Sequence, residues 1–316
     1  MPILPVGHLG RPAAGTAGRR GRPGTDLHGT SRNLERDKRM ANDFNQQVIE
    51  EFRANNGRVG GWFEGSRLIL LTTTGVRSGR PHTAPVGYLP DGGRILVIAS
   101  AGGAPTHPDW YHNLVAHPTV TVEDGTFTYQ ATASVLTGAE RELLFARAVE
   151  ADSGWADYQA RTTRLIPVVA LTEIPGPPHP NASSAGAFLK LVHDAFRREL
   201  DLIRHEVARS GAGLGAQLRI NCLTFCQGLH GHHVREDEGM FPVLAERHPE
   251  LAPTIERLGH EHQRIAALVA ELQAVISATD ADPARVRAEV ERLADELERH
   301  LGHEEEQLIP ILDGAG

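Results

Sequence analysis

The sequence has few cysteines and no long apolar run, and these two absences limit the classes of protein it can encode. Only two cysteines, Cys222 and Cys226, occur in 316 residues. Two are too few for a disulfide framework and are typical of a reducing compartment. No apolar run approaches the roughly 20 residues of a membrane span, and no secretory pattern opens the chain. We therefore predict a cytoplasmic protein without an integral membrane span, peripheral to the membrane if it acts on a quinone.

An excess of basic residues is also lacking outside the N-terminal segment. Residues 40–189 have a net charge of −4 and residues 190–316 of −9, whereas residues 1–39 have +5. Two acidic regions argue against nucleic acid as a partner. Residues 1–39 are rich in Gly, Pro and Arg without hydrophobic periodicity, which predicts a disordered basic tail. A nucleic-acid-binding arm is the alternative for this tail.

Short strand patterns dominate residues 40–173. A helical pattern from Asp43 to Asn55 precedes them, and further helices are expected near 108–116 and 138–151. Strand-like runs separated by glycine-containing turns occupy residues 67–73, 82–88, 94–99, 120–123, 126–136 and 166–173. Many short strands with few helices favour a small antiparallel barrel.

The pattern becomes helical after a linker rich in Pro, Ser and Gly at residues 174–186. Four amphipathic helices are predicted at about residues 187–209, 215–246, 250–278 and 283–313. Short connections between long helices imply antiparallel neighbours. The predicted fold class is two domains, β then α: a split β-barrel followed by an antiparallel four-helix bundle.

Histidines are concentrated in the helical region, with ten of the seventeen between His193 and His303. The second and fourth helices carry matching segments, His232-x3-Glu236 and His300-x3-Glu304. Residues four apart lie on one face of a helix, about 6 Å from each other, so both side chains can reach one metal ion. The first and third helices add His193 and His262. The pattern predicts a metal centre on the bundle axis.

The residue types favour iron, with zinc or manganese as alternatives, because imidazole and bridging carboxylate groups suit these metals. A carboxylate-rich bundle of the ferritin type would instead use Glu-x-x-His pairs. His233 and His303, which neighbour the ligands, are interpreted as solvated surface residues. The alternative is that they support the ligands from outside the metal centre. Cys222 and Cys226 are interpreted as small buried hydrophobic residues, although a redox dithiol is conceivable.

Together these motifs resemble the hemerythrin-type cation-binding domain over residues 187–313. The resemblance implies two iron ions, with terminal ligation by four histidines and bridging by two glutamates: His193, His232, His262, His300, Glu236 and Glu304. The third helix departs from the family pattern, because Leu258 and Ala266 lie four residues before and after His262. We therefore expect one iron to lack a protein nitrogen and to leave an open position for oxygen or nitric oxide.

Three segments of the barrel carry a second set of motifs. The first, Thr72-Thr-Thr-Gly75-Val-Arg77-Ser, is a glycine-containing basic turn of a kind that suits a phosphate. The second runs from Ser100 through Gly102-Gly103 to Trp110-Tyr111-His-Asn113 and combines small residues with aromatic and amide groups. The third contains Trp155 and Tyr158.

These segments resemble the deazaflavin-dependent nitroreductase family from about Phe44 to Glu173. The resemblance implies a split barrel that uses coenzyme F420. It places phosphate and tail contacts at Val76, Arg77, Ser78, His82, Thr83 and Ala84. It places the deazaflavin ring near Ile98, Ala99, Ser100 and Ala101, and near Asp109, Trp110, Tyr111, His112 and Asn113. It places Trp155 and Tyr158 at positions that face the substrate. The predicted catalytic residues are Ser100, Trp155 and Tyr158, and Ser100 and Tyr158 are the local candidates for the proton donor.

The motifs support two function classes. One is an F420-dependent oxidoreductase, transferring hydride to a quinone or nitro-type acceptor, joined to a di-iron bundle. The other is a non-enzymatic sensor or store of oxygen, nitric oxide or iron with a cofactor-binding module. Ala101 and Gly87 replace a lysine and a tyrosine of the family, so nitroimidazole reduction is not transferred. Flavin mononucleotide or haem in place of the deazaflavin is a third option.

Overall fold

The computed structural model describes residues 27–176, 179–211 and 213–314. Its first element is a helix, α1, at Leu27–Ala54. The prediction of disorder is therefore wrong for residues 27–39, and its remainder lies outside the described residues. Residues 34–40 are mostly good helix formers, and no proline follows Pro23 before them, so nothing in this stretch ends the helix.

Six strands close into an antiparallel barrel, as the short strand patterns predict. They are β1 at Leu68–Thr74, β2 at Pro81–Asp91, β3 at Arg94–Ile98, β4 at Thr119–Glu123, β5 at Phe127–Val135 and β6 at Val168–Glu173. The order is β4-β1-β2-β3-β6-β5, and pairing of β4 with β5 closes the barrel. The register places Leu71 opposite Ala84 and Val97 opposite Val169.

The first half of strand β1, residues 68–71, is buried on both faces, which explains why these four residues are all apolar. Ile69 and Leu71 belong to the cluster inside the barrel. Leu68 and Leu70 belong to a second cluster, which holds Val48 and Phe52 of α1 against the outside of the barrel. Alternate residues of a strand point to opposite faces, so a strand covered on both sides needs no polar residue.

Three further helices follow in the barrel domain: α2 at Asp109–Ala116, α3 at Gly138–Ala151 and α4 at Gly154–Ala160. Helix α4 was not predicted, because seven residues are too few for a clear period. A short strand, β7 at His179–Pro180, lies within the predicted linker and pairs with β5. The linker therefore follows the barrel surface at this point, where we expected no secondary structure.

The C-terminal region is the predicted bundle. Its helices are α5 at Ala185–Arg209, α6 at Ala216–Arg235, α7 at Phe241–Arg247, α8 at Ala252–Ser277 and α9 at Pro283–Leu312. A π-helical turn at Glu236–Met240 joins α6 to α7. Pro242 has no N–H to donate to the preceding turn, so the hydrogen-bond ladder changes there. None of the helices among the described residues is both long and apolar enough to cross a membrane.

The two domains meet through a network of ion pairs around the buried guanidinium of Arg67. The guanidinium of Arg67, just before β1, pairs with Glu199 and Glu206 of α5. Asn221 of α6 donates from Nδ2 to Glu206 Oε2 at 2.9 Å, and Gln217 donates from Nε2 to the carbonyl of Pro90 at 2.8 Å. Arg67 and Pro90 belong to the barrel, and the residues that they contact belong to the bundle. These contacts therefore fix the bundle against the barrel.

Candidate cofactor cleft and metal centre

Seven side chains from four helices converge inside the bundle in two adjoining groups. His193, His232, Glu236 and Glu304 offer ligand atoms within 4.8 Å of one another, and so do His233, His262 and His300. All seven are buried. The structure thus brings together every residue that the sequence predicted as a metal ligand and adds one, His233.

The interpretation of His233 as a surface residue is wrong. Its side chain is 5% exposed, and its ring stacks on His262. Adjacent residues on a helix point about 100° apart, so the side chains of His232 and His233 leave the helix in different directions. The ligand atoms form two adjoining groups, and His232 belongs to one of them and His233 to the other. His233 also supplies the nitrogen that helix α8 lacks near His262, so the open position expected from Ala266 does not follow.

Buried polar atoms without partners show that this site fits metal ions. Five histidine Nε2 atoms and the four carboxylate oxygens of Glu236 and Glu304 are buried. None of these nine atoms has a hydrogen-bond partner among the described residues. Such atoms are costly to bury unless something satisfies them. Nine unsatisfied nitrogen and oxygen donors facing one another are a donor set for cations.

A layer of carboxylates outside the centre orients the histidines. His193 donates from Nδ1 to Glu305 at 3.0 Å, His262 to Asp237 at 2.8 Å and His300 to Glu261 at 3.1 Å. A carboxylate can only accept, so Nδ1 carries the proton and Nε2 presents its lone pair inward. Sequence reasoning missed Glu261, which carries a lowered pKa because its hydrogen bonds with His300 and His303 outweigh its desolvation.

The two glutamates span both groups. Glu236 places Oε1 3.1 Å from Nε2 of His232 and Oε2 3.7 Å from Nε2 of His262. Oε2 of Glu304 lies 3.4 Å from Nε2 of His193 and 3.5 Å from Nε2 of His300. Each carboxylate therefore contacts both groups, as a bridging ligand would.

The electrostatics of the centre also favour bound cations. Burial first, and then the nearby carboxyl of Glu304, raise the pKa of Glu236 to about 10. Burial and the neighbouring imidazoles lower the pKa of His232 to about 2, so that ring is neutral and able to ligate. Two buried carboxylates this close are both ionised only when positive charge lies between them.

A cleft of about 2050 Å³ lies on the barrel. It is lined by all the predicted cofactor-binding residues except Ala99 and Tyr111. Ala99 lies between Ile98 and Ser100 and points to the opposite side, into the barrel interior. Tyr111 packs on His107 with ring centroids 4.6 Å apart.

Hydrogen bonds to Asn113 hold the basic turn at one end of the cleft. This buried residue of α2 accepts from the backbone N–H of Val76 at 3.1 Å and donates to the hydroxyl of Thr73 at 3.1 Å. A Cβ on Gly75 would lie 2.5 Å from Oγ of Ser78 and 2.7 Å from the ring of His82, so a larger residue would have to displace these two side chains. Asn113 therefore positions the turn and leaves Arg77 exposed for a ligand.

A second turn, at residues 100–103, forms the middle of the cleft. Ala101, Gly102 and Gly103 all have positive φ. A Cβ on Gly103 would lie 2.7 Å from the carbonyl of Tyr158. Arg164 fixes this turn by donating to the carbonyls of Ala99, Ser100 and Ala104. The result is a flat, small-residue surface that a ring can approach.

The predicted catalytic residues separate into two groups. Ser100 and Trp155 line the cleft. Tyr158 is 5% exposed and packs with Trp155 at a centroid distance of 6.0 Å, within the cluster outside the barrel. The structure therefore places Tyr158 outside the cleft lining, and Ser100 is the hydroxyl of the predicted set that faces the cleft.

Comparison with known proteins agrees with both domains. Residues 45–173 match the family model described as F420H(2)-dependent quinone reductase, and residues 185–312 match the hemerythrin HHE cation binding domain. A Mycobacterium tuberculosis protein named F420H(2)-dependent quinone reductase is 36% identical over 125 residues, which are 38% of this chain and 84% of that protein. A solved structure titled F420-H2 dependent reductase is 43% identical, covers 33% of this chain and 93% of its own, and has a TM-score of 0.31.

These matches define the class of protein as an F420-dependent oxidoreductase barrel joined to a hemerythrin-type bundle. The chain belongs to the F420H(2)-dependent quinone reductase family.

Proposed function

We propose that the barrel binds coenzyme F420 and transfers hydride to a small-molecule acceptor, a quinone or a nitro compound. The observation that supports this most is that one cleft gathers the basic turn, the small-residue turn and Trp155. The reduced deazaflavin, when bound, supplies the hydride, and the protein supplies binding and orientation.

The lining residues have separate roles in this proposal. Arg77, Ser78 and His82 at the basic turn bind phosphate. Trp155 forms an apolar wall that keeps water from the ring. Ser100 accepts from the N–H of Gly102 at 3.4 Å, so its own hydroxyl proton is directed elsewhere and can be donated to the acceptor.

Cofactor titration tests the proposal. Purified protein is titrated with F420, flavin mononucleotide and haem, and binding is followed by fluorescence or absorbance. We expect selective binding of F420, and F420H2 oxidation that depends on added quinone. Selective binding of flavin mononucleotide or haem would contradict it.

For the bundle we propose a centre of two iron ions. Its ligands are the seven converging residues: His193, His232, His233, His262, His300, Glu236 and Glu304. Bound iron would supply redox and Lewis-acid chemistry, and the protein holds the ions through neutral imidazoles and shared carboxylates. Metal analysis of iron-supplied protein should give about two irons per chain. The double variant Glu236→Ala/Glu304→Ala should give none, and an unchanged iron content in that variant would contradict bridging.

A second function, sensing or storing a small molecule at the bundle, is favoured by the unequal histidine count of the two groups. One group holds three histidines and the other two. The side of His193 and His232 therefore has one nitrogen fewer, where oxygen or nitric oxide could bind. Titration of the anaerobic ferrous protein with nitric oxide should change its spectrum with one equivalent per chain. An unchanged spectrum would reject this function.

A further inference from the structure

The cleft of the barrel is also lined by the bundle. Residues near the C-terminal end of α5 and the first turns of α6 form part of its wall, among them Leu202, His205, Arg209, Gln217 and Leu218. No pattern in the sequence links these residues to the reductase motifs. The site proposed for the barrel is therefore enclosed by two domains.

The placement of this wall is fixed by the ion pairs of Arg67. This guanidinium is only 6% exposed and bonds to Glu199 and Glu206, whose positions on α5 precede and follow Leu202 and His205. A buried charge left without its partner is strongly unfavourable, so the pairs hold α5 in a single position against the barrel. The ion pairs thus place Leu202 and His205 of α5 against the barrel.

The wall has an apolar part and a cationic part. Leu202 and Leu218 line the same cleft as Leu89, Leu96 and Trp155 of the barrel side, so each domain gives the cleft apolar residues that a planar ring can contact. His205 and Arg209 are exposed to the cleft. Burial raises the pKa of the Asp152 carboxyl, and the positive charge of Arg209 opposes this rise. Because Trp155 donates from its backbone N–H to the carbonyl of Asp152 at 3.2 Å, Arg209 and Trp155 lie at the same mouth.

We propose that the bundle supplies half of the acceptor site: Leu202 and Leu218 contact the ring of a quinone-class acceptor, and Arg209, with His205, binds its anionic or hydroxyl substituent. This inference rests on the proposed reductase function of the barrel. Arg209 is then a specificity-determining residue located on the hemerythrin-type domain. A guanidinium at the mouth selects acceptors with negative charge, because its hydrogen bonds to an anion are stronger than those to a neutral oxygen.

The test uses the full chain loaded with F420H2 and two acceptors, neutral menadione and an anionic hydroxynaphthoquinone. Arg209→Gln should raise KM for the hydroxynaphthoquinone about tenfold, with kcat within about twofold and menadione less affected. Arg204→Gln is the matched control, because Arg204 is on the same helix but pairs with Glu291 of α9. Both arginines have substantially exposed side chains, so both variants should fold. Cofactor affinity and metal content should not change in either.

The possible outcomes separate the two proposals. If the wild type reduces quinones and Arg209→Gln matches Arg204→Gln with both acceptors, the inference is overturned and the reductase function stands. If the wild type binds F420 but reduces no quinone, the quinone reductase function and the inference fail together. A selective rise in KM for the anionic acceptor in Arg209→Gln supports both.

Discussion

The imidazole rings of His233 and His262 stack with centroids 4.1 Å apart and planes 7° apart. They come from α6 and α8, and each leaves Nε2 without a partner among the described residues. His233 therefore faces the same buried cluster as the ligands predicted from the sequence, and we propose that it binds metal with them.

The first prediction is that His233→Ala lowers bound iron from about two to about one ion per chain. The group of His233, His262 and His300 loses one of three nitrogens, while the other group is intact. Metal analysis after iron loading measures this. His230→Ala is the control, since His230 is exposed on the same helix and should retain full content. Full metal content in His233→Ala would remove His233 from the ligand set.

The second prediction concerns the outer carboxylate Glu261. Glu261→Ala should weaken iron binding by about 10- to 100-fold, because residues that orient metal-ligating histidines commonly contribute that much. His300 and His303 both donate to its Oε2. Affinity is measured by competition with a chelator. Glu256→Ala, an exposed glutamate on the same helix, should behave as wild type. Equal affinities in the two variants would mean that Glu261 does not orient the ligands.

The third prediction is that Arg77→Ala weakens F420 binding by about 1.5–3 kcal/mol, the contribution of a charge-assisted hydrogen bond. Arg77 lines the cleft, whereas Arg80 in the same turn does not. Arg80→Ala is therefore the matched control and should bind F420 with wild-type affinity. Fluorescence titration measures both. If the two variants bind equally, Arg77 does not contact the cofactor.

The fourth prediction separates positioning from contact at Asn113. Asn113→Ala should lower the free energy of unfolding by about 1–3 kcal/mol, because the N–H of Val76 and the hydroxyl of Thr73 lose their partner. It should also weaken F420 binding, since the basic turn is no longer held. Val115→Ala, at an exposed position of the same helix, should change neither quantity. Denaturant unfolding with parallel cofactor titration measures both, and unchanged values for Asn113→Ala would contradict its role.

The fifth prediction concerns the junction of the domains. Arg67→Leu should destabilise the chain by about 3 kcal/mol, because the part-buried carboxylates of Glu199 and Glu206 lose the guanidinium that neutralises them. Arg53→Leu is the contrast, since the pair of Arg53 with Glu123 is half-exposed and such pairs contribute about 0–1 kcal/mol. Denaturant unfolding compares the two. Similar effects of both substitutions would show that the junction contributes little.

Much of the fold could be predicted, because its elements follow simple periods. The long helices of the bundle and the six strands of the barrel were placed to within a few residues. The elements that the sequence does not predict are short, or pair with a strand that is distant along the chain. Helix α4 has seven residues, and β7 has two, which pair with β5 through backbone atoms that no side-chain pattern reports.

The metal centre was predictable in part, for a geometrical reason. A His-x3-Glu step reports that two side chains share a face, so His232, Glu236, His300 and Glu304 were found. His233 stands outside such a four-residue step, so the rule gives no information about it. The missing nitrogen on the third helix was the signal that another histidine was needed. Tyr158 illustrates the reverse, because an aromatic residue beside a predicted substrate residue was assigned to the cleft but packs in the core.

Pairing of β7 with β5 has a consequence for how the two domains meet. The chain is tied to the barrel at residues 179–180 and begins α5 at Ala185, so only four residues separate the tether from the helix that carries Glu199. Docking of the bundle onto the barrel is thus intramolecular, and its equilibrium does not depend on protein concentration. Such a tether raises the effective concentration of one surface at the other to the millimolar range. Dilution that would dissociate two separate proteins with the same contacts leaves this cleft assembled.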